Sequence, residues 1–205
     1  MIKQTRNPYG YKKLLVYRKA DELQSETSHL TALLPPLKTL LALSDQTNRS
    51  ARSTKQNIVE GWKRNSTSEY YTFLGYSIAS NAELEEDCND IIAGKYPALM
   101  GKKGLMGERG AMGLAEAEKL PFYPLDAHLA PIVQLKLRCK EVNFLLDRLQ
   151  QSLVKKMGEN QTLPVEDRIA QRHAQERGAQ SWYEQFLKEQ GLVRLKNGRV
   201  VKKPL

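Results

Sequence analysis

Carboxylates, imidazoles and thiols carry most enzymatic chemistry, and the chain offers few of them in useful spacing. Glu60, Glu83, Glu85, Glu86 and Asp87 supply carboxylates, but no acid is paired with a base and no nucleophile with a histidine. A ferritin-like metal site needs Glu-x-x-His on inward helix faces. Glu26 to His29 supplies that spacing once, and no symmetric second copy completes it. His128 and His173 are isolated, and Cys88 and Cys139 are too few for a disulfide framework or a zinc motif. The expectation is a protein with no cofactor, no metal and no catalytic residue, hence not an enzyme.

Hydrogen-bonding side chains are better organised. Gln46, Ser50, Ser53, Asn57, Glu60 and Arg64 step by four, three, four, three and four, a continuous polar stripe along a helix. A solvated face is usually written in Lys and Glu, whereas small and amide residues suit close helix approach and directed hydrogen bonds. Gly61 costs about 1 kcal/mol against Ala within a helix unless something must come near the backbone. The stripe therefore reads as a helix or subunit contact, against the plainer reading of an exposed face with a Glu60 to Arg64 ion pair.

Positive charge is the third resource. From Lys188 to Lys203 there are six basic residues, Lys188, Arg194, Lys196, Arg199, Lys202 and Lys203, against one acidic, Glu189. Residues 192–201 alternate about Asn197-Gly198, a strong hairpin signal. Lys and Arg on such a ribbon contact phosphates without reading sequence, and Trp182 and Tyr183 either stack bases or pin a helix to its partner. Helix plus basic hairpin is similar to the last part of a winged helix, although only one helix precedes it. A second basic segment, with Lys95, Lys102, Lys103 and Arg109, lies in a glycine-rich stretch where Gly101, Gly104, Gly107, Gly110 and Gly113 recur every third residue. Without proline, so short a repeat cannot hold a collagen triple helix, and no phosphate-loop pattern is present. It reads as a flexible, basic excursion.

Helices must position these groups. Val16, Ala20, Leu23, Thr27, Leu30 and Leu34 step by four and three within 11–34, and Pro35-Pro36 ends that helix. A second runs over about 37–63, led by Leu37, Leu40, Leu41 and Leu43. Ser66 with Glu69 forms a capping box for a third, carrying Phe73, Leu74, Ile78, Leu84, Cys88, Ile91 and Ile92 and ending at Gly94. A fourth is expected from an Asp126 N-cap, with the seam Leu135, Cys139, Val142, Leu146, Leu149 and Leu153. Both cysteines fall on seams, as core side chains do. The fold class predicted is all-α: an antiparallel up-down four-helix bundle over 11–158 with the 95–125 insertion between helices three and four. Residues 162–205 form a suffix of helix and small β-hairpin, the helix anchored by Ile169, Trp182, Tyr183, Phe186 and Leu187.

The 205 residues carry 32 Lys and Arg against 23 Asp and Glu, a net charge of +9. With 40% hydrophobic residues and no apolar run of spanning length, a cytoplasmic protein without membrane contact is expected.

Ser53, Asn57, Ile58, Val59, Glu60, Gly61 and Arg64, continuing through Ser66, Glu69, Tyr70, Phe73, Leu74, Ala79, Glu83, Leu84 and Glu85, carry a family pattern. So do Leu15, Val16, Tyr17, Lys19, Ala20, Gln46, Arg49 and Ala51. Over residues 11–94 the chain resembles the four-helix-bundle family of proteins encoded in intervening sequences of bacterial 23S ribosomal RNA genes. Two departures stand out. Thr54, Lys55 and Gln56 hold positions where the family usually has proline, and the family's short link between helices three and four is here a 31-residue insertion. The resemblance implies ring-shaped homopentamers, by analogy with accessory proteins of diversity-generating retroelements that bind a reverse transcriptase and RNA. It brings no catalytic residues. The expected function is a non-enzymatic homo-oligomeric scaffold that binds RNA or DNA, or a nucleoprotein partner, through basic surfaces. The alternatives are an adaptor for an acidic protein and an accessory subunit of a reverse transcriptase.

Overall fold

A computed structural model describes residues 7–101, 103–106, 112–162, 174, 181, 184–185, 187–189, 192–195 and 200–202. The chain is mostly helical. There are four long helices, α1 (Leu15–Thr31), α2 (Lys38–Lys63), α3 (Thr67–Ile92) and α6 (Pro131–Thr162), and two one-turn helices, α4 (Lys103–Met106) and α5 (Leu114–Ala117), lie between α3 and α6. A two-stranded antiparallel sheet, β1 (Leu192–Arg194) and β2 (Val200–Lys202), follows. α2 packs on α1 and α3, α3 on α6, and α6 returns to α1, so every long helix has two long neighbours.

The core follows the apolar spacing. On α1, Val16, Ala20, Leu23, Thr27 and Leu30 are buried, and the Thr27 hydroxyl donates to Leu23 O at 2.7 Å, which removes its need for water. Pro35 and Pro36 separate α1 from α2. The periodicity of α2 puts Leu40, Leu43, Ala51 and Ile58 inside, whereas Leu37 and Leu41 face outward. α3 starts at the Ser66 N-cap, whose Oγ accepts from Glu69 N at 3.0 Å. The Glu69 carboxylate accepts from the Ser66 hydroxyl instead of turning to the Ser66 backbone, a variant of the capping box. Its C-terminus is a Schellman turn: Gly94 adopts φ +78°, and Lys95 N donates to Asp90 O and Gly94 N to Ile91 O.

Two local readings are corrected. Asp126 does not cap α6; its carboxylate accepts from His128 N at 2.8 Å in a separate turn, and the helix begins at Pro131. The reason is proline: it fits the first helical position, and it drives Ala130 out of the helical region, so the helix cannot extend further back. Arg64 does not pair with Glu60. It lies beyond the end of α2 with ψ 154°, out of i,i+4 register, and its guanidinium stacks on Phe73 at 4.3 Å. The strands pair Arg194 with Val200, leaving residues 195–199 between them. The hairpin expected about Asn197-Gly198 is thus present as an antiparallel pair, and residues 196–199 lie outside the described residues.

The insertion is also more than an excursion. Leu99, Leu105, Met106 and Ala117 are buried, and α4 lies on α6. Met106 and Met112 close over Ile92, Ala130, Ile132 and Val133, and Lys140 Nζ donates to Glu118 O at 2.8 Å. The described part of 95–125 thus caps the junction of α3 and α6. Residues 102 and 107–111, with Gly107 and Gly110 of the glycine repeat, lie outside the described residues, as do Ile169, Trp182, Tyr183 and Phe186.

Candidate nucleic-acid interface

The polar stripe of α2 is turned towards α3. Ser50 Oγ donates to Glu83 Oε2 at 3.1 Å, with Gln46 Nε2 reaching both at 3.4 Å. Ser80 Oγ donates to Ser53 Oγ at 3.0 Å, and Asn57 Nδ2 donates to the same oxygen at 3.2 Å. Deeper in the seam the Ser77 hydroxyl donates to Thr54 O at 2.6 Å, and Thr47 Oγ1 donates to Asp87 at 3.1 Å. Gly61 is buried against Tyr70 and Phe73, and burial pushes the Tyr70 phenol well above its usual range. Glu60 and Arg64 are exposed at the far end of the stripe. Small side chains allow the two helices to approach, and the glycine lets the aromatic residues of α3 cross over α2.

Facing it across α3 is a second polar seam, towards α6. Asn81 Nδ2 donates to Cys139 O at 2.8 Å, and Asn143 Nδ2 to Glu85 Oε2 at 3.1 Å. Lys136 is 1% exposed; its ammonium donates to Asn89 Oδ1 and stands 3.9 Å from Glu85 Oε1. Cys88 and Cys139 are fully buried and adjacent, and burial first, then Cys88, pushes the Cys139 thiol up. These groups lock helices together. Among the described residues no three His, Cys, Asp or Glu side chains converge as metal ligands would. Glu26 faces Arg138 instead, while His29 and His128 are exposed.

The predicted basic site is only partly in view. Lys188 is exposed on a helical segment whose neighbour Leu187 is buried, and Arg194 is exposed on β1. Lys202 lies on β2, paired with Leu192 of β1. Lys103 lies in α4. Lys102, Lys196, Arg199 and Lys203, and the side chains of Lys103 and Lys202, lie outside the described residues.

One cationic cluster escaped the reading of motifs. Residues 1–20 hold Lys3, Arg6, Lys12, Lys13, Arg18 and Lys19 and no acid, a contribution of +6. Two poles, 1–20 and 188–203, therefore carry more positive charge than the whole chain, and the remainder is −2. At the first pole Lys12 and Lys63 flank the Tyr9 ring, 5.5 and 4.8 Å from its centroid. The absence of Asp and Glu from 1–20 is the signal that would have found it.

Helices α1, α2 and α3, the Gly61 crossing and the Ser/Asn/Glu seam between α2 and α3 all lie within one segment. Residues 12–96 match the 23S rRNA-intervening sequence protein family. The 23S rRNA-intervening sequence protein match covers α1, α2 and α3 and stops where the insertion begins. It contains both halves of the α2–α3 seam, and α6 and the basic suffix lie beyond it. No curated protein matches the chain.

Proposed function

We propose that the chain is a four-helix bundle that assembles into a homo-oligomer and serves as a scaffold for RNA or a nucleoprotein partner, without a reaction of its own. The observation that carries this reading is the polarisation of charge: +6 in residues 1–20 and +5 in 188–203, on a body that is slightly negative. Phosphates favour such poles because every Lys or Arg that neutralises one releases a counterion. The cyclic contact of α1, α2, α3 and α6 supports the bundle. Assembly would repeat each pole once per subunit and turn weak contacts into avidity.

Retention on RNA is expected, with an affinity that falls steeply as salt rises and drops further when Arg194, Lys196 and Arg199 become Ala together. Absent or salt-insensitive binding at low ionic strength would overturn the nucleic-acid reading in favour of an adaptor for an acidic protein. Light scattering at micromolar concentration tests assembly: the expected mass is a multiple of 23.3 kDa, five-fold if the pentamer holds, and a strict monomer would remove the ring.

A further inference from the structure

The pole where the chain enters α1 and leaves α2 is a built surface. Trp62 Nε1 donates to Asn7 O at 3.0 Å, Tyr9 N to Asn7 Oδ1 at 2.8 Å and Gly10 N to Asn7 O at 3.1 Å. Gly10 lies so near Trp62 that a Cβ there would stand 2.5 Å from the indole Cζ2. This turn fixes Tyr9 on the outside of the molecule, 63% exposed. Lys63 lies 4.8 Å from the centroid of Tyr9 and 5.9 Å from that of Tyr11, with Lys12 on the Tyr9 ring as well. Beyond the end of α2, Arg64 covers Phe73, whose ring meets Tyr76 edge-on at 5.6 Å, and Tyr76 is 55% exposed.

Among the described residues Lys12, Lys13, Lys63 and Arg64 form no ion pair, whereas Lys19, Arg49, Lys55 and Arg138 each have a carboxylate. The nearby Glu69 carboxylate is held by the Ser66 hydroxyl. Exposed rings interleaved with unpaired cations suit a ligand that presents flat π-faces and phosphates together. Unpaired nucleotides do so; in a duplex the faces are already stacked on one another.

Resting on the nucleic-acid reading above, we infer that Tyr9, Lys12, Lys63 and Arg64 form a binding site for single-stranded RNA, separate from the suffix. A base displaces an ammonium group from the face of the Tyr9 ring and stacks there, and the two ammonium groups and the guanidinium contact the adjoining phosphates.

The test is fluorescence anisotropy of the full chain with a labelled oligouridine of about ten nucleotides, a usual span for a single-strand site. Tyr9→Ala is expected to weaken binding by roughly 5- to 150-fold, the loss of one stacked base, and Tyr9→Phe to retain it. Lys63→Gln should reduce the slope of log K against log salt by about 0.7. An unchanged far-ultraviolet spectrum and unfolding midpoint separate these effects from misfolding. If Tyr9→Ala and Lys63→Gln bind as the parent does while the Arg194, Lys196 and Arg199 triple variant loses binding, the site is overturned and the broader nucleic-acid reading survives. If the parent ignores the oligouridine and instead sediments with phosphatidylserine vesicles, both fall.

Discussion

Gly61 on α2 and Tyr70 on α3 approach so closely that a Cβ on the glycine would stand 2.6 Å from Tyr70 Cδ2, and 2.8 Å from Phe73 Cβ. Helix propensity alone would favour alanine here by about 1 kcal/mol. Crowding against ring and backbone-proximal carbon outweighs it, because overpacking a tight contact costs about 1–3 kcal/mol. Gly61→Ala is therefore expected to lower stability in urea titration. Gly75→Ala on α3, where the new Cβ meets only Gln150 Nε2 at 3.7 Å, should raise it by up to about 1 kcal/mol. The reverse order of the two variants would refute the close crossing.

Lys136 is buried with Asn89 and Glu85 as its partners. Lys136→Met keeps the side-chain length but leaves a carboxylate and an amide oxygen without their cation, at a cost of about 1–3 kcal/mol. Adding Glu85→Gln removes the orphaned charge while keeping an oxygen for Asn143, and should recover part of the loss. Additive losses in the double variant would show that the two groups do not communicate.

Burial above all, with Asp90 and Glu83, pushes the Asp87 carboxyl above its ordinary range, opposed by the Thr47 hydroxyl. The folded protein then holds that proton more tightly than the unfolded chain does. Its contribution to stability is full below the ordinary carboxylate pKa and is lost as pH rises through the raised one. Asp87→Asn, which keeps an acceptor for Thr47, is expected to raise the unfolding midpoint at neutral pH and to flatten its decline above about pH 4. Glu26, raised chiefly by burial, would set part of the remaining slope. Identical midpoints for parent and variant across that range would exclude the linkage.

Cys88 and Cys139 are both 0% exposed, and burial raises the Cys139 thiol further from its reactive form. Neither should react with a thiol-specific reagent in the native protein, and both should react in denaturant. Rapid labelling of either residue under native conditions would mean that α3 and α6 separate readily.

Much of this architecture could be read directly from spacing. The four-three steps of Val16 to Leu30 and of Leu135 to Leu146 mark buried seams because one helix face meets one neighbour. The stripe from Gln46 to Asn57 stood out by residue type, since small hydroxyl and amide groups are wasted on open solvent. Its partners Ser80 and Glu83 could not be read, because pairing between helices is set by rotation and depth, which a local pattern does not encode. Lys136 shows the same limit: between Leu135 and Leu137 it looks like the polar side of a helix, yet the insertion and α3 enclose α6 from both sides. The packing of the insertion is not legible in the sequence, because Leu99, Leu105 and Met106 are buried without following any helical or strand period. Tyr9 and Lys63 are far apart in sequence, and only the turn over Trp62 joins them into one cationic pole.

The return of α6 to α1 sets the order in which a ribosome can complete this protein. A nascent chain carrying α1, α2 and α3 has emerged with the apolar flank of α1 and α3 still wet, since α6, which covers it, is translated after all three. Synthesis passes through the whole insertion before that cover arrives. During this interval the unfinished chain is the form most exposed to chaperone capture or to pairing with another copy.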